Sequence, residues 1–243
     1  MAAAIHNGHD VREDVGRWLA LTERERLYEE DPHTAHWTAI AETRIIVDRS
    51  RFEVDLNRPR EGAVYRTLED AWGLTVYKSA TPEAVFRTSL AEYDAFYEDA
   101  RRLLGEMRER FGRFVVFDLH TYNHRRDDRA PADPEGNPEV NVGTGTMDRR
   151  RWENVVERFI ADLRRFDVLG RRLDVRENVR FRGGHFPGWI HETFPDCGCA
   201  LAIEVKKVFM DEWTGEVDAR RFDALRAALA STVPGVLEEL SRL

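Results

Sequence analysis

Phe114-Val-Val-Phe-Asp-Leu-His120 is an apolar and aromatic run that ends in an imidazole close behind a carboxylate, then breaks into the polar segment Thr121-Tyr-Asn-His-Arg-Arg-Asp-Asp128. Short runs of this composition read as buried strands. In open α/β sheets, ligands gather beyond the carboxyl ends of strands, and a strand end fixes its last side chain better than a loop does. The stretch therefore sets His120 at the rim of a sheet, as a candidate metal ligand.

Working outward, the β-branched and aromatic runs at 3–6, 44–48, 74–78, 113–120, 179–182 and 200–206 read as strands. Between them, residues 82–109 carry Val85, Leu90, Tyr93, Phe96, Ala100, Leu103, Leu104 and Met107, a spacing that lays one apolar stripe along a helix. Thr22-Glu-Arg-Glu25 has the form of a capping box, which predicts a helix that stops near Asp31-Pro32 and leaves acidic residues 29–31 at its exit. Further helices are expected at 149–166 and 219–243, the latter interrupted or kinked at Pro234. Strands alternating with helices predict an α/β fold: a mixed, mostly parallel sheet flanked by helices on both faces. Residues 125–146, rich in Asp, Pro, Gly and Asn, read as an active-site loop. No repeat or linker divides the chain, so one domain over 1–243 is expected.

The 243 residues are 42% hydrophobic, enough for a substantial core. A net charge of −8 with interspersed signs gives no support for binding nucleic acid or an anionic membrane. No stretch approaches about 18 unbroken apolar residues, and Met1-Ala-Ala-Ala-Ile-His6 is too short for a signal peptide, so a cytoplasmic protein is expected. A homo-oligomer stays open. Cys197 and Cys199 alone cannot complete a tetrahedral zinc site and read as two reduced thiols.

The histidines fall in pairs: His6 and His9, His33 and His36, His120 and His124, His185 and His191. His6 is followed by Asn7-Gly8, a turn signal that leaves its imidazole at the same rim as His120. Two such histidines can share one cation, and a carboxylate completes the common zinc set; Glu30 and Asp31 are the nearest candidates in chain order. The segment Asp48–Arg60 carries Asn57 beside Arg58, an amide and a planar fork suited to a substrate carboxylate, with Arg51 free for another oxygen. In Leu201-Ala-Ile-Glu204-Val, a carboxylate interrupts an apolar strand, where it must be paired or kept for proton transfer. Gly183-Gly184-His185 reads as a loop over the site, its histidine contacting substrate or capping a turn.

Taken together, Ile5-His-Asn-Gly8, Glu29-Glu-Asp-Pro32, Asp55-Leu-Asn-Arg58, Asp118-Leu-His120, Arg182-Gly-Gly-His185 and Ala202-Ile-Glu-Val205 resemble the N-formylglutamate amidohydrolase family and, more distantly, aspartoacylase and the zinc carboxypeptidases. The resemblance implies a zinc carboxypeptidase-like fold and one zinc ion per chain, held by His6, His120 and either Glu30 or Asp31. Where carboxypeptidases carry the glutamate of His-x-x-Glu, this chain has His9, a further candidate ligand. It implies that Asn57 and Arg58 grip the substrate carboxylate, that Arg51 polarises the scissile carbonyl, and that Glu204 is the general acid and base. The implied reaction is hydrolysis of an N-acylated amino acid such as N-formyl-L-glutamate. Alternatives are a carboxypeptidase or amidase acting on peptides or cell-wall fragments, a catalytically silent small-acid binder, and cysteine nucleophile chemistry at Cys197 or Cys199.

Overall fold

The computed structural model describes residues 1–125 and 133–243. A six-stranded sheet in the order β2-β1-β3-β6-β4-β5 is built from β1 (Ala2–Ala4), β2 (Arg44–Ile46), β3 (Phe114–Tyr122), β4 (Val140–Gly143), β5 (Val175–Glu177) and β6 (Gly198–Lys206). The first four in that order run parallel; β4 joins β6 antiparallel and carries β5 parallel to itself. The sheet is thus mixed and mostly parallel, as the alternation of elements predicts.

Strand periodicity divides the core in two. Val115, Phe117 and Leu119 join Leu201, Ile203 and Val205 on one face, beneath α5 (Glu153–Arg165) and α7 (Ala219–Ser241). Phe114, Val116 and Ala200 face the other way, against α4 (Glu83–Phe111) and α6 (His185–Thr193). His120 and Glu204 are register partners on adjacent strands, and both take the even-numbered parity that looks toward the α4 and α6 side. A fully buried side chain such as Phe159 or Phe186 contributes roughly 1.5–3 kcal/mol of transfer free energy, so these faces fix the strand register.

The helix signals hold at their caps. Between the short helices α1 (Glu13–Trp18) and α3 (Thr34–Trp37), Thr22 and Glu25 bond reciprocally at the start of α2 (Glu23–Glu29), which stops ahead of Asp31-Pro32. α4 ends at Gly112, whose φ of 75° a side chain would resist. α7, by contrast, runs through Pro234 without the expected interruption.

Two strand expectations and one loop expectation need correction. Residues 74–78 form only an isolated bridge between Leu19 and Tyr77, because Val76 and Tyr77 spend their apolar surface on a satellite core beside the sheet. Residues 179–182 pair with no strand; their backbone hangs on the side chain of Asn141, while β5 forms just upstream. The segment 125–146, expected as loop, contains β4, whose four residues are too short for their alternation to show; residues 126–132 of it lie outside the described residues. Among the described residues no helix is long and apolar enough to cross a membrane.

Candidate active site

The carboxyl ends of β1, β3 and β6 open onto one cleft. Beyond β1, the Asn7 side chain accepts the Ala35 amide at 3.0 Å, and the His6 carbonyl accepts the Asp31 amide at 3.0 Å. The second bond fastens the exit of α2 to His6 itself. Lys207, buried just past β6, donates to the carbonyls of Tyr28 and Glu30 at 2.7 and 2.8 Å and holds the same exit from the other side. The capping box fixes the start of α2, while Pro32 and these bonds fix its exit, and hence where Asp31 lies.

His120 Nδ1 lies 2.9 Å from Asp31 Oδ2, and His6 Nδ1 lies 3.5 Å from the same oxygen. The two rings meet edge-on with centroids 4.9 Å apart. Among the described residues, His6, Asp31 and His120 form the one group of three whose ligand atoms all fall within 4.8 Å of one another. The other two candidates, Glu30 and His9, are bound to each other: His9 Nδ1 sits 2.5 Å from Glu30 Oε2, and Ser50 donates to the remaining Glu30 oxygen. Asp31 is thus the acidic side chain that meets both imidazoles.

Two nitrogens and a carboxylate oxygen are the donor set of zinc sites that keep an open position. Each imidazole also has a second carboxylate behind it. His6 Nε2 donates to Asp55 Oδ1 at 2.7 Å. His120 Nε2 approaches Asp118 Oδ1 at 3.1 Å, outside hydrogen-bond angles, so the nitrogen and both Asp118 oxygens are buried without a hydrogen bond. Such carboxylates fix the ring that faces a metal and raise its basicity. Thr121 steadies the far oxygen of Asp31 at 3.0 Å. The residues present fit a divalent cation of the zinc type.

The electrostatics follow from burial opposed by pairing. Burial alone would raise the Asp31 carboxyl, but hydrogen bonds from His120 and His6 outweigh it and hold it below the usual range. Burial would lower the His120 imidazole, yet Asp118 and Asp31 hold it well above its ordinary value. Asp55 is treated as Asp31 is: burial pushes it up, and Arg51 with His6 brings it well below. Glu204 goes the other way. Burial, aided by Asp31 and Asp118 and opposed by His120, pushes its carboxyl up to about 8.

The cleft above the trio measures about 340 Å³, and its walls include Arg51, Asn57, Arg58, Arg180, Glu204 and Lys207. Arg51 pairs with Asp55 at 2.8 Å and stacks 5.0 Å from the ring of Trp72, an exposed residue held at φ 53°. Arg58 reaches the Asp70 carbonyl at 3.3 Å and lies over Tyr65 and Trp72. Asn57 accepts the Phe186 amide at 2.9 Å, which joins it to the start of α6 and leaves its NH2 for the cleft. His185 is not among the cleft walls; it opens α6 with its ring 5.6 Å from Tyr97. Neither cysteine lines the cleft, and burial pushes both thiols up, which removes the conditions for a nucleophile.

Sequence reading quoted Asp55 and Asp118 inside its motifs without giving either a role, and gave none to Lys207, Asn141 or Arg180. A signal existed for Asp118, because a carboxylate two residues before a strand-end histidine lies on the same face. The other four depend on which segments meet.

A family model described as N-formylglutamate amidohydrolase matches residues 1–210. A solved N-formylglutamate amidohydrolase from Ralstonia eutropha JMP134 is 16% identical, with a TM-score of 0.77 over 99% of this chain and 93% of that one. A gene product from Agrobacterium tumefaciens is 17% identical, with a TM-score of 0.69 over 99% and 91%. At these identities the likeness shows the fold alone. Among curated proteins none matches the chain.

Proposed function

Since this chain belongs to the N-formylglutamate amidohydrolase family, we propose that it hydrolyses the amide of an N-acylated amino acid, N-formyl-L-glutamate first among them, with the help of one zinc ion. The observation that carries the reading is the meeting of His6, Asp31 and His120 within 4.8 Å, on a floor where Glu204 is the register partner of His120. An ion held by those three residues supplies, when bound, Lewis acidity toward water and an acyl carbonyl.

The protein's own groups do the rest. Glu204 accepts a proton from the attacking water and returns it to the leaving nitrogen, a task that suits a carboxyl whose burial makes it hold a proton more tightly than a surface acid. Arg51, steadied by Asp55 and Tyr65, offers its guanidinium to the charge that develops on the carbonyl oxygen. Losing one such donor typically lowers the rate about 100- to 1,000-fold. Asn57 and Arg58 orient the substrate through its α-carboxylate.

Metal analysis of the purified protein, paired with hydrolysis of N-formyl-L-glutamate, tests the scheme. The parent should carry close to one ion per chain. Glu204→Gln should keep the ion and lose turnover by about 100- to 10,000-fold, the range of general acid–base catalysis. Retained turnover in that variant removes Glu204 from proton transfer. A parent that binds acids but cleaves no N-acyl amino acid overturns the hydrolase reading.

A further inference from the structure

The cationic groups of the cleft are not equivalent. Arg51 is neutralised by Asp55 at 2.8 Å. Arg58 has the same carboxylate at 3.9 Å. Lys207 is spent on two backbone carbonyls, and Glu29 on the wall nearby adds compensating charge. Arg180 differs: among the described residues it has no ion pair, its guanidinium donates only to the neutral amide of Asn137, and its Nε is buried with no hydrogen-bond partner. A cationic fork at a cleft wall with capacity left over is a receptor for an anion.

The fork is also held still. Its guanidinium carbon lies 5.2 Å from the centroid of Tyr122 and 5.4 Å from that of Phe181. Its backbone is hung on Asn141, a fully buried residue whose Oδ1 accepts the Arg180 amide at 2.8 Å and whose Nδ2 donates to the Phe181 carbonyl at 2.8 Å. Asn141 is the register partner of Glu204 on the adjacent strand, so one strand pair places both the proposed proton carrier and the arginine. Positioning of this kind lets a side chain discriminate without first losing rotamer freedom.

We propose that Arg180 is a specificity-determining residue that binds the side-chain carboxylate of a dicarboxylic N-acyl amino acid, while Asn57 and Arg58 take the α-carboxylate. This rests on the hydrolase reading above and assigns that site its selectivity for a doubly anionic substrate over its neutral amide analogue.

The test compares N-formyl-L-glutamate with N-formyl-L-glutamine for the metal-loaded parent, Arg180→Met and Arg180→Lys. Calorimetric binding of glutarate and butyrate is measured alongside. The parent should prefer the glutamate substrate by about 100-fold in kcat/KM, the scale of a desolvated charge pair. Arg180→Met should bring that ratio to within a few-fold of one by losing the glutamate substrate, and a metal content and far-UV circular dichroism matching the parent's show that it is folded. Arg180→Lys should recover part of the preference. A parent that cleaves both substrates equally, or a preference that survives in Arg180→Met, overturns the proposal and leaves the hydrolase reading standing. A parent that cleaves neither, yet binds glutarate over butyrate only while Arg180 is present, refutes the hydrolase reading and keeps Arg180 as the anion receptor.

Discussion

At the scale of single residues, the pair that distinguishes this site from an ordinary buried charge cluster is Asp55 and Asp118, one behind each imidazole. A buried carboxylate with no hydrogen bond, as in Asp118, is costly to keep, by several kcal/mol where the charge is uncompensated. Its position explains that cost if His120 spends its other nitrogen on a cation. Asp118→Asn keeps the shape and removes the charge, so it should weaken metal binding by about 10- to 100-fold, measured by competition against a chromogenic chelator. Asp55→Asn should weaken it similarly and also release Arg51, which loses its 2.8 Å partner, so turnover should fall further than metal content explains. Parental metal affinity in both variants would separate these carboxylates from the metal and assign them to packing alone.

Among the elements, α6 ties the substrate side of the cleft to the sheet. A Cβ at Gly184 would lie 2.2 Å from the Asn57 side chain, so Gly184→Ala should push Asn57 off the Phe186 amide. One hydrogen bond of this kind is worth about 1 kcal/mol, and KM should rise up to about tenfold with the metal content unchanged. The far end of α6 carries His191, which accepts the Ala200 amide at 3.0 Å and whose imidazole burial holds down to about 4. Between about 4 and the ordinary 6.5, the unfolded chain binds a proton that the folded one refuses. Stability is therefore full above about 6.5 and falls as pH drops toward 4, with this residue accounting for up to about 3 kcal/mol. Denaturant midpoints at pH 7 and 4.5 should accordingly differ less in His191→Gln than in the parent; an equal drop in both would refute the assignment. The contrast between elements also explains what the sequence disclosed. The strands at 3–6, 113–120 and 200–206, the helix at 82–109 and the box at Thr22 carry apolar runs, periods or caps of their own, and His6, His120, Glu204 and Asp31 stand at or near the ends of the three strands and of the helix that the box starts. β4, β5 and the segment around Arg180 have no local period long enough to read; partners remote in the chain define them, Asn141 above all.

For the molecule as a whole, the parallel part of the sheet gathers its chemistry at one edge. β1 delivers His6, β3 delivers His120 and β6 delivers Glu204, all at carboxyl ends, while apolar cores seal the strands below on both faces. Asp31, Asp55, Asp118 and Glu204 are thereby concentrated in a desolvated volume whose balance depends on His6, His120, Arg51 and Lys207. A divalent cation adds positive charge where four carboxylates crowd, and no comparable site survives in the unfolded chain, so metal binding and folding must be coupled. At a free ion concentration about 100 times the dissociation constant, that linkage is worth about 2.7 kcal/mol. For a chain of this size it corresponds to a rise in Tm of about 5–10 °C. Stripping with a chelator should lower Tm by that amount, and readdition of zinc should restore it. In Asp31→Asn the response should vanish, because the shared oxygen between the two imidazoles has lost its charge. A Tm indifferent to both chelator and zinc in the parent would mean that the cluster is balanced by its own arginine, lysine and histidines and that its convergence serves the fold.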